Sequence, residues 1–157
     1  MVRFANPRQW LFECPDSLWK ELRMNWEYEE LTANKIGVCF DVINELGEGF
    51  IESVYERALV IALRQKGMKA EPQVPMKVVF RDEVIGDFVA DILVEDKIII
   101  ELKAVKALTP QHQAQLINYL TATGLHVGLL VNFGSRKLEW NRAENPKLRR
   151  AYRSLVA

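Results

Sequence analysis

From Leu31 onward the apolar residues Leu31, Ile36, Val38, Cys39, Val42, Ile43 and Leu46 fall at helical spacings, and Gly47 and Gly49 then interrupt the run. This predicts an amphipathic helix ending at Leu46. A second stripe, Ile51, Val54, Ala58, Ile61, Ala62 and Gln65, predicts a helix over about 51–66, with Gly67 suited to the left-handed position that closes it. Upstream, Met1 to about Glu29 carries Trp10, Trp19 and Trp26 among Leu11, Phe12, Leu18 and Leu22, punctuated by Pro7 and Pro15. It reads as an added N-terminal segment, helical from Asp16.

The period then changes to two. Val74, Met76, Val78 and Phe80 alternate with Pro75, Lys77, Val79 and Arg81, which predicts a half-buried strand, and Asp82-Glu83 should turn the chain. Strands over about 87–94 and 97–103, with Glu95-Asp96 between them, form a hairpin. Thr109 as N-cap and Pro110 at the first helical position open a helix through about Ala122, which Gly124 closes. The continuous apolar run Val127 to Phe133 suits a strand covered on both faces. Residues 137–140 would add an edge strand, and 147–155 a short basic helix. The order α, α, β, β, β, α, β predicts an α/β fold, a mixed sheet flanked by helices. Such an order specifies no function.

Length and composition narrow the picture. At 157 residues, with 49% hydrophobic and 27% charged, the chain suits one globular unit. Folding should bury roughly two-thirds of the unfolded surface. Cys14 and Cys39 lack metal-ligand spacing, and no stretch approaches the ~20 apolar residues of a membrane span. A cytoplasmic location with no membrane partner is expected. With 21 basic and 21 acidic residues the net charge is zero, which argues against a large non-specific nucleic-acid surface. The charge is nonetheless polarised: residues 13–30 hold six acids and two bases, and residues 136–153 hold seven bases and two acids.

The chemistry concentrates in Asp91 to Lys103. Glu101 and Lys103, two apart on a strand, project from one face. A three-residue loop, Glu95 to Lys97, would set Asp91 opposite Glu101, Ile92 on Ile100 and Val94 on Ile98. A two-residue loop would set Asp91 against Ile100 and separate the carboxylates. The three-residue register is the one expected. It brings two like charges to about 5 Å between Cβ atoms, a spacing that asks for a cation between them. Oxygen ligands of this kind suit Mg²⁺ or Mn²⁺, and the nearby lysine can hold or polarise an attacking water. The ordinary alternative is a solvated strand face with a cross-strand ion pair, but the apolar residues around Glu101 would make an unpaired carboxylate costly.

Asp91 followed by Glu101-Leu102-Lys103 resembles the D…(D/E)-x-K core of the PD-(D/E)XK nuclease superfamily. Within it, Gly49-Phe-Ile-Glu52-Ser-Val-Tyr55 is similar to the motif that names the GxxExxY protein family. The resemblance runs from about Leu31 to Arg142 and includes Glu101-Leu-Lys-Ala-Val, Gln115-Leu-Ile-Asn-Tyr119-Leu120 as this chain spells it after Gln115, and Gly128-Leu-Leu-Val-Asn-Phe133. It implies a restriction-endonuclease-like αβββαβ core and hydrolysis of nucleic-acid phosphodiesters. It also implies that Asp91, Glu101 and the Leu102 carbonyl ligate the metal, with Glu52 facing it directly or through water, and that Lys103 is the catalytic lysine. Gln115 and Tyr119 match a Gln-x-x-x-Tyr motif of RecB-like nucleases that would orient lysine, metal water or phosphate. Three positions depart from the pattern: Ala90 replaces the nominal proline, Ile43 stands where many relatives have histidine, and Glu48 where they often have proline.

The expected function is therefore a Mg²⁺- or Mn²⁺-dependent nuclease acting on DNA or RNA, with residues 30–142 as the nuclease-like domain. Two alternatives stand beside it: a non-catalytic nucleic-acid-binding or regulatory module on the same fold, and an interaction protein working through its tryptophan-rich N-terminal surface. Residues 1–29 could serve as a lid, a homodimer surface or packing. The tail, 143–157, supplies Arg149, Arg150 and Arg153 as candidate phosphate contacts. Tyr55 reads as a core aromatic and His112 as a surface residue.

Overall fold

The computed structural model describes residues 16–148, with side chains from Tyr28 onward. Its elements are α1 (Asp16–Leu46), α2 (Glu52–Gln65), β1 (Ala70–Phe80), β2 (Glu83–Val94), β3 (Ile98–Lys103), α3 (Pro110–Thr123), β4 (Val127–Asn132) and β5 (Glu139–Glu144). The strands form one sheet in the order β1-β2-β3-β4-β5. β3 and β4 are parallel, joined through α3, and every other neighbouring pair is antiparallel. This is the mixed sheet flanked by helices that the pattern predicts.

α1 and α2 cover one face, packing Val38, Val42, Tyr55, Leu59 and Leu63 against Ile92, Ile98, Ile100, Leu129 and Val131. α3 covers the other, with Leu116 and Leu120 against Ala90, Ile99, Leu130 and Ala143. The central strands β3 and β4 are therefore apolar on both sides, which explains their continuous apolar runs. Each fully buried aliphatic side chain contributes roughly 1.5–3 kcal/mol of transfer free energy. Among the described residues no helix is long and apolar enough to cross a membrane.

Several boundaries differ from the sequence pattern, each for a physical reason. α1 is one helix of 31 residues from Asp16, running through position 29 without a break. β1 and β2 are longer than predicted, and their turn lies at Arg81-Asp82, both left-handed at φ 49° and 68°, rather than at Asp82-Glu83. A type I′ hairpin turn needs both central residues left-handed, and here neither is glycine to signal it. The outer half of this hairpin exposes Val79, Phe80, Val84 and Ile85, so burial does not alternate there. β5 spans Glu139–Glu144 rather than 137–140; only Ala143 of its residues is buried, which leaves an edge strand with little apolar signature. Helix is present over 146–148, and the rest of the predicted basic helix lies outside the described residues.

Candidate active site

The β2–β3 connection sets the site. Glu95 and Asp96 are both left-handed (φ 55° each), and Lys97 N donates to Val94 O at 3.0 Å. Lys97 is then an extra residue, because the ladder resumes as Val94↔Ile98, Leu93↔Ile99 and Ile92↔Ile100. That is the three-residue register, and its continuation sets Asp91 opposite Glu101. The β2–β3 ladder stops at Ile92↔Ile100, while β3 continues beside β4 as far as Lys103↔Asn132. Where the strands part, the Asp91 side chain replaces the missing partner: Leu102 N donates to Asp91 Oδ2 at 2.7 Å.

Glu101 and Lys103 share a face, as period two requires, and Lys103 Nζ lies 3.0 Å from Glu101 Oε1. Their side chains are 4% and 13% exposed, so the pair is largely dry. Glu101 Oε2 is buried with no hydrogen-bond partner. Burial first, then the Asp91 charge, pushes the Glu101 carboxyl up to about 7 against the hold of Lys103. Burial likewise raises Asp91, partly offset by the Leu102 amide and by Lys103. Burial disfavours the Lys103 ammonium, but Glu101, Glu52 and Asp91 outweigh it and raise its pKa.

Glu52 reaches this centre from the start of α2. Its Oε1 accepts from Ala104 N at 3.1 Å, directly after Lys103. Tyr55 fixes the loop before it: the buried ring stacks on Phe133 at 4.8 Å between centroids, and its hydroxyl donates to Gly47 O and accepts from Phe50 N. Tyr55 is a core residue. Gly47 and Gly49, at φ 75° and 105°, supply the left-handed backbone of that loop. On the other side, Asn132, 1% exposed, accepts from Val105 N and Gly134 N and donates to Val105 O. A Cβ on Gly134 would stand 2.0 Å from Val105 O, so only glycine allows this close approach.

Two residues of the site carry no motif. Glu56 lies one turn beyond Glu52 on α2, and Gln73 Nε2 donates to Glu56 Oε2. Burial, outweighing the Gln73 bond, raises the Glu56 carboxyl, and the Asp91 charge adds to the rise. The four-residue interval from Glu52 is the signal that could have found Glu56. Gln73 has a left-handed backbone, φ 52°, inside β1.

Gln115 and Tyr119 lie on α3, which covers the face shared by Ile99 and, by alternation, Glu101 and Lys103. Gln115 Nε2 donates to Tyr119 OH at 2.6 Å, and the tyrosine ring stacks on Phe88 at 3.8 Å. Among the described residues neither bonds to Asp91, Glu101 or Lys103. His112 caps its helix, accepting from Thr109 N through Nδ1 at 3.1 Å. Arg149, Arg150 and Arg153 lie outside the described residues.

The donor set suits a hard cation in part. The unpartnered, buried Glu101 Oε2 beside a second carboxylate is what a divalent ion would satisfy. Among the described residues, however, no three His, Cys, Asp or Glu side chains stand together closely enough to hold a metal by themselves. Glu101, Asp91 and Glu52 each spend an oxygen on Lys103 or on a backbone amide. A cation would thus rest on Asp91 and Glu101 with backbone or water oxygens.

The family model of the PD-(D/E)XK nuclease superfamily matches residues 29–143. No curated protein matches the chain. The crystal structure of SSO0001 is similar over 87% of this chain and 69% of that one, at 19% identity and a TM-score of 0.48.

Proposed function

The chain belongs to the PD-(D/E)XK nuclease superfamily, and from that membership and its buried acid centre we propose that it is a Mg²⁺- or Mn²⁺-dependent nuclease hydrolysing phosphodiester bonds of DNA or RNA. The observation that carries this reading is Glu101: almost fully buried, bonded to Lys103 through one oxygen and unpartnered at the other, beside Asp91. A buried acid with its second oxygen left unpaired costs stability. The Gly49 to Tyr55 motif supports the narrower assignment to the GxxExxY family.

In this reading Asp91, Glu101 and the Leu102 carbonyl hold the cation, with Glu52 acting directly or through water. When bound, a divalent cation would polarise a non-bridging phosphate oxygen and lower the pKa of a bound water. Lys103 keeps its proton, since its pKa is raised; it acts as a donor and point charge that steadies the attacking water and the developing negative charge, rather than as a general base. Gln115 and Tyr119 orient the lysine or the phosphate from α3, and Arg149, Arg150 and Arg153 contact substrate phosphates.

The test is incubation with single- and double-stranded DNA and RNA in Mn²⁺, alongside a melting curve with and without the ion. The parent should cleave at least one substrate and melt higher with Mn²⁺. Glu101→Ala should lose both properties, whereas Lys103→Ala should lose cleavage and keep the melting shift. Nucleic-acid retention without turnover would favour the binding-module reading, and a Lys103→Ala protein that cleaves like the parent would overturn the assigned mechanism.

A further inference from the structure

Both strands of the β1–β2 hairpin turn over beside Asp91. In β2, Phe88 and Ala90 pack on the α3 side, while Ile92 and Val94 pack on the α1 and α2 side. A regular strand would keep all four on one face. β1 changes sides as well: Ala70 belongs to the α1 and α2 cluster, and Met76 to the α3 cluster. The change falls at Gln73, whose φ of 52° interrupts the ladder between Pro72↔Ile92 and Val74↔Ala90, directly across from Asp91.

The flanking residues fit this reversal. Pro72 and Pro75 have no N–H to give β2, so both nitrogens sit best on the open edge of the sheet. Residues three apart in an unbroken strand present their nitrogens to opposite edges, and one left-handed residue between the prolines removes the conflict. The side chain of Gln73 is then held to α2 by its bond to Glu56.

We propose that Gln73, held in its left-handed conformation by Glu56, is a positioning residue for Asp91, turning β2 so that the Asp91 carboxylate meets the Leu102 N–H and faces Glu101. Its value for catalysis rests on the nuclease reading, but the geometry can be tested without it. Glycine accepts a positive φ and a β-branched residue resists it. The Leu102 amide reports the Asp91 contact directly, and the Leu130 amide, in the core on β4, reports global stability.

Amide exchange by NMR on the metal-free protein should therefore separate the variants. In Gln73→Val, Leu102 should exchange at least ~10-fold faster relative to Leu130, whereas Gln73→Gly should stay within ~3-fold of the parent. Glu56→Ala should also speed Leu102 selectively, and it carries the test if Gln73→Val does not fold. Mn²⁺ titration should show the same order of affinities. Leu102 protection that is unchanged in Gln73→Val, or in Glu56→Ala where Gln73→Val does not fold, or lost only in step with Leu130, would overturn the proposal. A parent whose Leu102 amide is protected but which binds no Mn²⁺ would instead count against the metal reading alone.

Discussion

The two halves of β3 differ by one neighbour. Ile98, Ile99 and Ile100 are paired on both sides, with β2 and β4, and are fully buried. Glu101, Leu102 and Lys103 keep β4 but have lost β2 from the ladder, and there the strand carries two opposite charges in a largely dry setting. Three consecutive residues of one strand are thus core, and of the next three Leu102 still packs into the core while Glu101 and Lys103 line the candidate site. What changes is the departure of β2 from the ladder, which lets a carboxylate, Asp91, take over a backbone bond.

Moving a carboxylate two residues along β3 should break this comparison most severely. Ile99→Glu keeps the face of Glu101 but places the acid in the doubly paired half, against Leu116 and Leu120 and without a lysine. We expect a loss of at least ~4 kcal/mol, with the cooperative denaturant transition weakened or absent.

Neutralising the native acid should have the opposite sign. With its folded pKa near 7, above the ordinary 4.5, Glu101 binds its proton more tightly in the native state. Stability without metal should therefore fall as pH rises from about 4.5 to about 7 and level off above that. Glu101→Gln should flatten this profile and make the metal-free protein more stable at pH 8, by on the order of 1–3 kcal/mol. Thermal melts in EDTA across that range provide the measurement, and a parent whose stability rises between pH 5 and 7 would contradict the burial argument.

The smallest effect should come from outside the strand. Glu52→Ala removes the acceptor for Ala104 N, a first-turn acid of α2 and one of the charges acting on Lys103, so it should cost about 1 kcal/mol of stability. The same variant should weaken Mn²⁺ binding less than Asp91→Ala does, a ranking that calorimetry can establish.

How far the sequence could be read follows the same physics. The Asp91–Glu101 register was legible because a three-residue loop sets Ile92 on Ile100 and Val94 on Ile98 on one buried face, whereas a slip by one residue would divide those four between the two faces of the sheet. Glu52 was legible only through its motif; its own side chain makes a single bond, to a backbone amide far along the chain. The supports were not legible. Asn132 sits at the end of an apolar run, and its bonds to Val105 depend on the parallel pairing of β3 with β4. Gln73 owes its role to a backbone angle that no residue type announces, although the prolines beside it restrict the strand. In the outer hairpin β2 was read short, from about 87 instead of Glu83, because Val84 and Ile85 are exposed and leave no one-sided pattern.

The same edge strand bears on how the protein behaves at high concentration. β1 borders the sheet, and an open row of backbone groups can template the strand of another molecule. Pro72 and Pro75 remove two donors from that row, and the bend at Gln73 keeps it from being flat. Those safeguards cover only the inner half of the strand. From Val78 to Phe80 the edge has no proline and is interrupted by the register shift between Val78 and Val79, and beside the exposed Val84 and Ile85 of β2 it is the apolar part of the edge, where strand exchange and aggregation would start.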